Sequence, residues 1–120
     1  MEMARMMLVY PTGEASYRDV PTTYPAFNQA VLDGGYMQEM RCVDHDGTEV
    51  VFIMDEEGKL KGLDLNLAAT GLWYRMGGSP LMPGDVFCGV VAVCGAKGEG
   101  LADVPQSVQT VVEQQEPPAP

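Results

Sequence analysis

The residues best equipped for chemistry lie between Asp55 and Tyr74. Glu56 and Glu57 bring two carboxylates, Lys59 and Lys61 two ammonium groups, Asn66 an amide that donates and accepts, and Tyr74 a phenol with a stacking face. Paired acid–base catalysis needs two carboxylates converging on one substrate, and neighbours on an extended segment point to opposite sides. Glu56 and Glu57 therefore do not make an acid–base pair by spacing. A cation, an acceptor and an amide close together instead suit an anionic group with its neighbouring hydroxyl or base edge. The Glu56-to-Asn66 stretch is thus a ligand-binding candidate for a small nucleotide-like molecule, with Tyr74 as a further contact. A structural reading stands beside it, in which the carboxylates cap backbone amides and Asn66 fixes the chain.

Other constellations are weaker. Asp44-His45-Asp46 has the residue types of a hard-metal or carboxylate–imidazole site, but it abuts Asp46-Gly47, a turn pair that explains the polarity on backbone grounds. His45 is the only histidine, and Cys42, Cys88 and Cys94 lack CxxC spacing, so neither a metal site nor a disulfide framework is expected. Asp44, Asp46, Asp55, Glu56 and Glu57 form an acidic group at the two ends of one hairpin, read as a solvated rim or a contact for a cationic partner. Gly95-Ala96-Lys97-Gly98-Glu99-Gly100 has the glycine content of a phosphate loop without its GK[ST] ending or a following helix, and reads as a connection. No catalytic residue and no cofactor is expected.

The elements that must position these residues follow from periodicity and turn chemistry. Ala4–Tyr10 and Ser16–Val20 read as strands joined across Pro11-Thr12-Gly13-Glu14. A helix is expected from Pro25 to about Leu32, capped by Thr23 or Tyr24 and ended by Gly34-Gly35. Tyr36–Val43 and Thr48–Met54 form a hairpin around Asp46-Gly47, and the apolar run Val50-Val51-Phe52-Ile53 marks a strand covered on both faces. Leu65, Ala68, Ala69, Leu72, Trp73 and Met76 make one apolar helical stripe, with Asp64 as the expected cap and Gly77-Gly78 as the exit. Asp85–Cys94 reads as a further central strand, and a short helix is expected from near Pro105 with Val108, Val111 and Val112 as its stripe. Glu116–Pro120 reads as a disordered Pro-rich tail.

These elements predict an α+β domain over residues 1–104, a mostly antiparallel sheet of four or five strands with two helices packed on it, followed by a short helix and tail over 105–120. The chain has 120 residues, enough for one core. Its net charge of −10 repels a phosphate backbone, so direct nucleic-acid binding is excluded as an expectation. The same charge serves solubility, or imitation of nucleic acid toward a host protein. No apolar run reaches the length of a membrane span and no leader is recognised, which together predict a cytoplasmic protein. Nine methionines and two nearly all-apolar strands in so small a domain predict a homo-oligomer.

The stretch Phe52–Asn66, containing Glu56-Glu57-Gly58-Lys59, followed by Ala68-Ala69, by Gly84-Asp85-Val86 and by Val93-Cys94-Gly95, resembles a domain-of-unknown-function family of short phage and mobile-element proteins. Gly34-Gly35-Tyr36 supplies its middle element, and the resemblance spans roughly residues 4 to 104. Members often carry Pro where Asp64 stands, so a side-chain cap is expected here instead. The resemblance supplies no reaction; it implies an accessory role in a phage setting, cytoplasmic in the host. Three functions compete: a non-enzymatic binding protein that captures a nucleotide-like signal or a host factor, with counter-defence as one such role; an acidic inhibitor that imitates nucleic acid; and, last, an enzyme using Glu56 or Glu57.

Overall fold

The computed structural model describes residues 2–82 and 85–114. Pro83, Gly84 and the expected Pro-rich tail lie outside the described residues. The first hairpin forms as its turn chemistry requires. Strands β1 (Met3–Val9) and β2 (Ala15–Pro21) pair antiparallel, Met3 opposite Pro21 and Val9 opposite Ala15. Gly13 closes the turn at φ 95°, a conformation open to glycine without steric cost, and its amide bonds the Tyr10 carbonyl at 2.8 Å.

Helix α1 (Ala26–Val31) has Pro25 at its N-cap position and no side-chain cap, so neither Thr23 nor Tyr24 plays that part. Its exit uses Asp33 at φ 51° and Gly34 at φ 83°, with the Gly34 amide on the Asn28 carbonyl at 2.9 Å. Strands β3 (Met37–Val43) and β4 (Glu49–Asp55) form the second hairpin. Asp44 builds its turn, accepting the Asp46 and Thr48 amides on Oδ1 at 2.9 Å each. On Oδ2 it accepts the Ser107 hydroxyl at 2.5 Å. These bonds, the hydroxyl's first, hold the Asp44 carboxyl below the usual carboxylate range.

Helix α2 (Leu67–Arg75) starts at Asn66 rather than Asp64. Asn66 Oδ1 accepts the Ala69 amide at 3.0 Å, as an N-cap does, while Asp64 turns its carbonyl to the Gly89 amide at 2.7 Å. The expected strand Asp85–Cys94 is also shifted: β5 runs Val91–Lys97. Residues 85–90 cross the start of α2 instead, because that helix end satisfies their backbone. Thr70 Oγ1 accepts the Phe87 amide at 2.9 Å, and the Phe87 carbonyl accepts the Asn66 amide at 2.7 Å. Gly95 does not end β5; its missing side chain admits the Asp103 carbonyl, 2.6 Å from where a β-carbon would sit. The glycine-rich stretch is a tight hairpin, with Lys97 opposite Gly100 and Gly98 at φ 61°, leading into β6 (Gly100–Ala102). Helix α3 (Gln106–Gln114) follows.

The sheet order is β2-β1-β5-β4-β3, antiparallel throughout, with β6 paired to β5. The class is the expected α+β, with six strands among the described residues. Side-chain alternation gives the sheet two apolar faces. Met7, Val9, Val50, Phe52, Val91 and Val93 pack under α2 and α3, where Trp73 meets Phe52 edge-on with ring centroids 5.2 Å apart. Ala4, Met6, Leu8, Val51, Ile53 and Ala92 pack on the other face with Phe27 of α1. Strand β4 is thus covered on both sides, as its unbroken apolar run requires. No helix of the described residues is long and apolar enough to cross a membrane.

Candidate functional site

β4 ends in Asp55, and the chain then winds into a loop built around that side chain. Asp55 Oδ1 accepts the Glu57 amide at 2.8 Å and Oδ2 accepts Lys61 Nζ at 2.7 Å. The Lys61 and Leu63 amides return to the Glu57 and Gly58 carbonyls, giving consecutive turns over residues 57–63. Asp55 is buried, with 5% of its side chain exposed, whereas Lys61 keeps 41%. The hydrogen bond to Asp55 raises the Lys61 pKa, so the ammonium stays charged at neutral pH. Gly35 makes room for it: a β-carbon there would collide with the Asp55 carboxylate and lie 3.0 Å from Lys61 Nζ.

Concavities flank this loop on both sides, and Asp55 lines each. The first is a cavity of about 230 Å³ walled by Val31, Leu32, Leu63, Gly89 and Val90, with Asp33, Asp55 and Lys61 as its charged groups. Gly89, at φ 76°, stands where a β-carbon would come 2.8 Å from Leu63 Cδ1, so this wall closes only around glycine. The second is a groove of about 440 Å³ that includes Met40, Met54, Glu56, Lys59, Leu81 and Phe87. Lys59 is paired with Asp85 across it.

The sequence candidates therefore separate. Lys61 lines the cavity, Glu56 and Lys59 line the groove, and exposed Glu57 lines neither. Asn66 is fully buried: Nδ2 donates to the Val9 carbonyl at 2.9 Å and the Gly89 carbonyl at 2.8 Å, which spends both donors within the fold. Tyr74, 46% exposed on α2, accepts the Leu81 amide on its hydroxyl at 3.0 Å, apart from the cavity. From the sequence Asp55 reads as part of an acidic rim and Gly35 as part of a helix exit, while Asp33 and Gly89 go unmarked. Gly89 carried a signal, since glycine inside an apolar pattern marks a close approach of another group.

Among the described residues, no three His, Cys, Asp or Glu side chains lie together as metal ligands. The cysteines are free and buried. Burial, then Asp44, pushes the Cys42 thiol up to about 11; burial, then Glu39, pushes Cys94 up to about 12, so both stay protonated and poor nucleophiles at neutral pH.

No curated protein and no solved structure matches the chain. A family model described as a domain of unknown function, DUF3846, matches residues 3–116, nearly the whole of the described fold, and the chain belongs to that family.

Proposed function

We propose that the chain is a non-enzymatic binding protein that captures a small nucleotide-like ligand in the cavity between α1 and the 55–63 loop, as a counter-defence accessory of a phage or mobile element in the host cytoplasm. The phage setting rests on the sequence resemblance. One observation carries the binding reading: an Asp55–Lys61 ion pair, its carboxylate buried and its ammonium partly exposed, lies in a cavity whose walls are apolar apart from Asp33. Ligand sites combine apolar walls with a few placed polar groups, and an ammonium beside a carboxylate offers a donor next to an acceptor. The edge of a nucleobase presents the complementary pair. Asp33 beside Asp55 would repel a phosphate, which favours an orientation with the base inside and any phosphate toward solvent. Glu56 and Glu57 do not line one concavity, which counts against the carboxylate-enzyme reading.

Thermal shift of the full chain against nucleosides, nucleotides and inorganic phosphate tests this. Base-containing ligands should raise the melting temperature and phosphate alone should not. Lys61→Met and Val90→Trp should each remove the shift; because Lys61→Met also leaves the buried Asp55 carboxylate without its partner, it should lower unliganded stability, so its ligand shift is read against its own unliganded melting temperature. No stabilisation by any nucleoside, or binding that survives both substitutions, defeats the proposal. The net charge of −10 favours the second reading, an acidic mimic of nucleic acid; salt-sensitive capture of a host protein, displaced by DNA, would support it.

A further inference from the structure

The two edges of the sheet differ in how they meet solvent. In an antiparallel ladder, alternate residues turn both backbone groups to the same neighbour. The Glu56 amide bonds the Tyr36 carbonyl at 2.8 Å and the Asp44 amide bonds the Thr48 carbonyl at 3.0 Å, so even-numbered residues of β3 bond toward β4. Met37, Glu39, Arg41 and Val43 therefore turn their N–H and C=O groups to the free edge. The same logic applies to β2, where the Tyr10–Glu14 and Thr22–Glu2 bonds set even residues inward and leave 15, 17, 19 and 21 facing out. There Pro21 occupies an outward position and has no N–H to give, a common way of blunting an edge. β3 has no proline and no lysine.

We propose that the open edge of β3 is a self-association surface, pairing antiparallel with β3 of a second copy about a two-fold axis through Met40. Outward groups meet only when the paired residue numbers are both odd, which restricts the register. Centring on Glu39 sets that carboxylate opposite its own copy, and centring on Arg41 sets two guanidinium groups opposite each other; both are like-charge pairs that destabilise a sheet. Centring on Met40 sets Glu39 opposite the partner's Arg41, twice by symmetry, and Met40 opposite the partner's Met40.

On its own chain Arg41 bonds Glu49 at 3.2 Å, Glu39 at 3.3 Å and the Glu99 carbonyl at 3.2 Å, so in the dimer the partner's Glu39 exchanges with the chain's own Glu39 at this guanidinium. Gly77 closes the far end of the edge, its absent β-carbon falling 2.8 Å from the Val43 carbonyl. That confines pairing to the stretch around Glu39 and Arg41 and makes a small, concentration-dependent dimer. This surface is distinct from the cavity, and its test does not depend on whether the cavity binds a ligand.

Light scattering of the full chain up to millimolar concentration should return a mass rising toward twice 12.9 kDa. M40C should form a disulfide-linked dimer on mild oxidation, because residues directly opposite in a non-hydrogen-bonded pair lie close enough to bridge. Added to M40C, E39R alone or R41E alone should suppress cross-linking, and mixing the two variants should restore it as a heterodimer. Circular dichroism identifies any variant that is unfolded, and the wild-type scattering stands without them. A wild-type monomer at millimolar concentration, an M40C chain that does not cross-link, or cross-linking indifferent to both charge changes overturns the proposal.

Discussion

Asn66 holds three parts of the molecule with one amide. It caps α2 at Ala69 and gives its two N–H groups to the carbonyls of Val9 and Gly89. Removing the side chain leaves those buried groups without a partner, each at a cost of about 1–3 kcal/mol. Asn66→Ala should therefore lower stability by at least about 3 kcal/mol in urea denaturation with an unchanged m-value. Asp44 has a different signature. Its pKa is depressed in the folded state, so the unfolded chain binds its proton first as pH falls. The stability it adds is fully present above the ordinary carboxylate value of about 4 and is lost as pH drops through the lower folded value. Ser107→Ala removes the largest cause, so its melting temperature should depend less steeply on pH in that acid window than the wild type's. An identical slope would show that the Ser107 hydroxyl does not set the shift.

At the scale of elements, the α2 stripe was legible because helical spacing of Ala69, Leu72, Trp73 and Met76 reports burial directly, and all four are buried. Leu65 fits the same spacing but precedes the helix and is 56% exposed, since Asn66 rather than Asp64 starts it. Recognising Asn66 as the cap in place of Asp64 needs the position of the Val9 and Gly89 carbonyls, which lie far away in the chain. Trp73→Asp should unfold the domain, because a charge would enter beside the rings of Phe52 and Phe87, whose centroids lie 5.2 and 6.0 Å from that of Trp73. A soluble variant that melts cooperatively near the wild-type temperature would contradict this packing.

Across the whole molecule, stability should be graded by position in the sheet. β4 and β5 lie in its middle, and Val50–Ile53 and Val91–Val93 have no exposed surface. Native-state hydrogen exchange should find their amides protected to nearly the global unfolding free energy, with the edge strand β2 opening well below it. Equal protection of β2 and β4 would refute this gradient. The fold class, the two large hairpins, α2 and the double-sided burial of β4 could be read from the sequence, because turn residues and apolar periodicity act over a few positions. What only the tertiary structure decided is which polar groups meet. Lys59 and Lys61 are two residues apart yet serve different concavities, each paired with a carboxylate, Asp85 and Asp55, that periodicity does not couple to it. Gly35 and Gly89 come together with Asp55, Lys61 and Leu63 through chain crossings of the sheet. Local spacing encodes which face a residue occupies, but the meeting of distant segments depends on strand order and the closeness of packing, and that is where the candidate cavity arises.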